Sequence, residues 1–98
     1  MRTIQYLNTV KSRYGLTSDY QLAHKLGLRP SGVSNYRHET SFFNEETAQF
    51  IAKLLYIHPA QVIAHANAER AERAGKPEML KMWLDVAAKF ATPEPPQT

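Results

Sequence analysis

Cysteine is absent from this 98-residue chain. That excludes a disulfide scaffold and thiolate metal sites, and it agrees with the cytoplasmic location expected here. No run of about 18 apolar residues occurs, so no membrane-spanning helix is predicted. The opening "MRTIQYLNTVKSRYG" has neither a continuous apolar stretch nor a small-residue cleavage site, and is not read as a secretory signal. Glycine is scarce, at four residues. No Gly-rich phosphate loop, paired-carboxylate motif or nucleophile signature appears, so an enzyme is not expected. No stretch alternates apolar and polar residues convincingly, so no strand is predicted.

What remains is helical periodicity. An apolar fraction of 43% suffices for one modest core in one small domain. The expected class is all-α, a compact bundle of five or six helices. The first helix, about residues 3–14, places Ile4, Leu7, Val10 (or Lys11) and Tyr14 on one face, with Thr3 as N-cap and Gly15 ending it. The second opens on the capping box "SDYQ", where Ser18 and Gln21 would each bond the other's amide, with Asp19 in the first turn. Leu22, Ala23 and Leu26 form its buried face and Gly27 ends it. The third helix starts at Pro30, buries Val33 and Tyr36, and contains Gly32, read as allowing close approach of another backbone, helix two or DNA. Asn44 caps the fourth, lined by Ala48, Ile51, Ala52 and Leu55. The fifth starts at Pro59 and buries Val62, Ile63 and Ala66, with Glu69 and Arg73 spaced to pair. Pro77 starts the sixth, with Met79, Leu80, Trp83, Val86, Ala87 and Phe90 on one stripe.

Two short helices joined by a tight Gly turn make a helix-turn-helix. The physical requirements are a small residue where the helices cross, a glycine in the turn and an apolar anchor in the following helix. Ala23, Gly27 and Val33 supply them. The third helix is otherwise polar, through Ser31, Ser34, Asn35, Arg37 and His38. Charge is uneven. Residues 1–40 carry six basic against two acidic residues, and the remainder six against seven. A surplus on the half that carries the motif suits a phosphate-facing surface.

The stretch "YQLAHKLGLRPSGVSNYRHE…EETAQFIAKLLYIHPAQVI" resembles the lambda-repressor-like helix-turn-helix family, the XRE or Cro/C1 type of small phage-related regulators, over about residues 3–64. The resemblance implies a sequence-specific regulator of double-stranded operator DNA. By position it implies base contacts from Ser31, Ser34 and Asn35. It implies phosphate contacts from Ser18, Gln21 and Lys25, and from Arg29, Arg37 and His38 at the flanks. Three positions depart, one of them Tyr36, which replaces a frequent Trp and is expected to pack similarly. Arg29 stands where the family often has a Ser or Thr cap, and Glu39 where it often has Gly.

Readers of this kind usually bind as two-fold dimers, because one recognition helix touches too few bases. Met79, Trp83, Val86 and Phe90 are the residues expected to bury against a second copy, unless the sixth helix folds back as core; both are possible at once. Residues 1–74 are read as the helix-turn-helix domain, 75–91 as a C-terminal helix for packing or dimerisation, and 92–98 as a disordered Pro-rich tail. His58, His65 and Glu69 could share a face but do not make a closed ligand set, so no metal is expected. Nor is a cofactor, a small-molecule ligand or a membrane. The function expected is a phage-type repressor occluding a promoter as a homodimer. A protein-interaction module on the same fold, antitoxin-like or anti-repressor, is the alternative.

Overall fold

The computed structural model describes residues 1–91, and the predicted disordered tail lies outside them. The described residues form six helices and no strand: α1 (Thr3–Arg13), α2 (Asp19–Leu26), α3 (Pro30–Arg37), α4 (Glu45–Leu55), α5 (Pro59–Arg73) and α6 (Pro77–Lys89). The all-α class follows from the periodicity of the sequence.

The first five helices close around one core. Leu7 and Val10 of α1, Leu22 and Ala23 of α2, Val33 of α3, Ile51 and Ala52 of α4, and Val62 of α5 are almost wholly shielded from solvent. Phe43, in the α3–α4 loop, fills the centre, with Tyr36 packed edge-on at 5.0 Å between ring centroids. Gly27 adopts the left-handed conformation (φ 67°) that the turn requires, and its amide and that of Leu28 return to carbonyls of α2.

Several local expectations need correction. Thr3 is not an N-cap. It is the first residue of α1, buried, and its amide and hydroxyl donate to Glu69 Oε1 at 2.6 and 2.7 Å. A carboxylate from α5 thus meets the positive end of α1. This rotates the buried face, so Tyr6 enters the core beside Phe43 and His65, while Ile4 and Tyr14 are half-buried. The Ser18–Gln21 box is half formed. Ser18 Oγ accepts from the Gln21 amide at 3.1 Å, but Gln21 Oε1 accepts from the amide of Thr17 at 2.7 Å, one residue further back. Glu69 and Arg73 do not pair, because burial commits Glu69 to Thr3 and Arg73 donates to the carbonyl of Glu39. No backbone of α2 crowds Gly32, since an added Cβ would meet only Leu28 Cβ, at an ordinary 3.8 Å.

Asn44 caps α4 as expected, accepting from the Thr47 amide at 2.8 Å. His58 Nδ1 accepts from the Ala60 amide at 3.0 Å and so caps α5. Helix α6 runs back along α5 and makes nearly all its helix–helix contacts there. Ala64, Ala68 and Ala71 are buried outside the main core cluster, and α6 is what covers them. Only Ala87 of α6 is fully buried, and Leu80, Trp83 and Val86 are half-buried. Met79, Met82, Leu84 and Phe90 remain 40 to 47% exposed. Helix α6 is therefore docked by one edge and apolar beyond it.

Candidate nucleic-acid interface

Helix α3 has two faces with different chemistry. Val33 and Tyr36 turn inward and fix its position on the core. Ser31, Ser34, Asn35 and His38 recur at i, i+3, i+4 and i+7, share one stripe and are all exposed. The side chains of Ser31 and Asn35 make no hydrogen bond to another described residue. Asn35 therefore offers one acceptor and two donors, and Ser31 a rotatable hydroxyl. Ser34 Oγ lies 3.3 Å from His38 Nδ1, which is also 2.9 Å from the Ser34 carbonyl. His38 is thus folded back over the last turn of α3 rather than extended from it. Its ring holds part of Ser34's hydrogen-bonding capacity.

The N-terminus of α3 has no side-chain cap. Arg29 stands at that position with an extended backbone, and Pro30 follows at the first helical position. Arg29 is exposed, its carbonyl accepts from the Gly32 amide, and its side chain has no hydrogen-bond or ion-pair partner among the described residues. Lys25 Nζ sits 4.5 Å above the Tyr14 ring, an arrangement that orients the ammonium without neutralising it. Ser18 and Gln21 lie at the start of α2, where amides point outward and an anion is favoured.

Arg37 is differently placed from its expected role. Its Nε and Nη2 donate to the two oxygens of Asp19 at 3.2 and 3.0 Å, and Nη1 donates to Asn8 Oδ1 at 2.6 Å. Lys11 Nζ reaches Asp19 Oδ1 at 3.3 Å. Helices α1, α2 and α3 meet in this cluster. The Arg37 hydrogen bonds, helped by Lys11, hold the Asp19 carboxyl below its ordinary range. Arg2 is committed too, to Glu72 at 2.9 Å, Glu39 at 3.3 Å and Glu69 at 3.8 Å. Its guanidinium is held protonated above all by the Glu72 bond. Of the six basic residues in 1–40, three are thus paired with carboxylates. Arg13, Lys25 and Arg29 are the cations left without an ion pair among the described residues. The charge surplus read from composition is smaller on the folded surface, because Glu69 and Glu72 come from the other half of the chain.

Sequence reasoning missed two features. Tyr20, in the first turn of α2, is 71% exposed and borders an open groove with His24, Gly27, Leu28 and Pro30. Nothing in the periodicity distinguished it from a core aromatic. The Asp19–Arg37 pair joins residues 18 apart that no local spacing rule connects. The three residues weighed as metal ligands have separate partners. His58 caps α5, His65 bonds Tyr6 and the N-terminal amine, and Glu69 holds Thr3. No family model, curated protein or solved structure matches the chain.

Proposed function

We propose that this protein is a sequence-specific double-stranded DNA-binding regulator of transcription, with α3 as the helix that enters the major groove. One observation carries the reading. A short helix anchored by only two side chains leaves Ser31, Ser34 and Asn35 on one exposed polar stripe. A stripe of this kind suits base edges, and Asn35 can bond an adenine two-fold. Arg29 and Lys25, with the start of α2 at Ser18 and Gln21, suit the flanking phosphates. Arg37 and His38 enter this set only by leaving the partners described above.

The reading includes a two-fold dimer that occludes a promoter. Met79, Met82 and Val86 recur at i, i+3 and i+7 along one edge of α6, with Met79 and Met82 exposed, and Phe90 continues the stripe past the helix while its ring packs against His58, the cap of α5, at 4.6 Å. Glu78 lies in the first turn of α6 and Lys89 in the last. Pairing two copies of α6 antiparallel sets Glu78 of one against Lys89 of the other, whereas parallel pairing opposes like charges. Trp83, being half-buried, sits between the α5 contact and this edge.

The test is selection of bound fragments from the surrounding genome, followed by affinity measured from about 50 to about 300 mM salt. DNA binding predicts affinity falling steeply as counterions are released. Flat affinity, or no fragment bound, leaves the protein-interaction module as the better reading.

A further inference from the structure

The Asp19 cluster lies where the proposed DNA surface needs positive charge, and it withholds it. Asp19 belongs to the first turn of α2, beside Ser18 and Gln21, and its side chain is 45% exposed. A bare carboxylate there would repel a phosphate. Its two partners cancel that repulsion, but their own charges are partly spent in doing so. Lys11, Arg37 and Asp19 together carry one net positive charge instead of two. Asp19 is the more exposed partner, while Lys11 and Arg37 are 26 and 21% exposed, so the two cations are held part-buried against it rather than extended toward solvent.

We propose that Asp19 is a specificity-determining residue: it sequesters Lys11 and Arg37 from phosphates and so restrains binding to arbitrary DNA. This rests on the DNA-binding reading. Phosphate contacts give affinity without sequence information. A small reader with few base contacts gains discrimination when cations near its groove helix are engaged at home. Asn8 serves the same end, because its Oδ1 accepts from the one arginine nitrogen that Asp19 does not hold.

The test compares wild type with Asp19→Asn on a selected genomic fragment and on random-sequence duplex, across a salt series. Each cation released to a phosphate steepens the log–log salt slope by about 0.9. Asp19→Asn is expected to steepen it by about 1 to 2, to raise random-duplex affinity about tenfold, and to raise fragment affinity less, so the specificity ratio falls. Asn8→Ala leaves net charge unchanged and is expected to shift the ratio the same way, more weakly; it serves as the test if Asp19→Asn does not fold. A cluster that only braces α3 would instead weaken fragment binding with an unchanged slope. An unchanged slope in the folded variants, with wild type binding normally, overturns this proposal alone. Wild type that binds neither duplex at any salt overturns the DNA-binding reading and this proposal with it.

Discussion

Among the described residues, two other than glycine hold left-handed backbone, Glu39 and Tyr56, both at φ 57°. An L side chain there costs about 1–2 kcal/mol. Tyr56 is 81% exposed and ends α4, so its ring recovers little of that cost. Tyr56→Gly is expected to stabilise the fold by about 1 kcal/mol after the extra chain entropy of glycine is subtracted, raising the thermal midpoint by several degrees. An unchanged or lower midpoint would mean that the Tyr56 ring is bound in a way its exposure does not suggest. Glu39 is different, because Arg2 holds its carboxylate and Arg73 its carbonyl. The sequence marked this position, where the resembling family often has Gly. It did not reveal the arginines that make Glu tolerable there, since they lie 37 and 34 residues away. The same distinction holds across the site. The exposed placement of Ser31 and Asn35 on one face of α3 was legible from local pattern, whereas the pairing of Arg37 was not.

The join between α1 and α5 makes stability depend on pH. His65 is wedged between the Tyr6 hydroxyl and the N-terminal amine. Burial, then the nearby ammonium, pushes its pKa from 6.5 down to about 4. Above 6.5 the ring is neutral whether the chain is folded or not. Between 6.5 and about 4 the unfolded chain takes a proton that the folded chain refuses, so stability falls as pH falls through this window. Denaturant midpoints at about pH 7 and about pH 5 should differ in wild type, and the difference should shrink in His65→Gln. An equal difference in the variant would exclude His65 as the source. Asp19 works in a lower window. Its pKa is depressed from 3.8, so its contribution is lost only as pH drops through that lower value. Helix ends were mostly readable, because Ser18 and Asn44 act within three residues of themselves. The buried face of α1 was misread because Ile4 and Thr3 fit helical spacing equally well. The choice between them was made by Glu69, 66 residues away from Thr3.

Taken whole, the molecule presents a polar groove-sized helix on one part of its surface and an unfinished apolar edge on α6. Met82, on that edge, is 41% exposed and has little to lose in the monomer. Met82→Glu should leave the melting of the monomer within about 0.5 kcal/mol of wild type while shifting sedimentation toward the monomer. A dimer that persists unchanged would remove α6 from the interface. Net charge illustrates what composition conceals. The surplus in residues 1–40 was legible, yet folding brings Glu69 and Glu72 onto Arg2 and leaves fewer free cations than counting implies. On the proposed reading, base discrimination comes from the α3 stripe, and the pairing of Lys11 and Arg37 with Asp19 limits sequence-independent phosphate binding. The most direct measurement is the affinity of wild type and Asn35→Ala for a selected genomic fragment and for random duplex at one salt concentration. Asn35→Ala is expected to weaken fragment binding by about 1–3 kcal/mol and to leave random-duplex binding unchanged. Equal weakening on both, or none on either, would contradict the claim that α3 reads bases through Asn35.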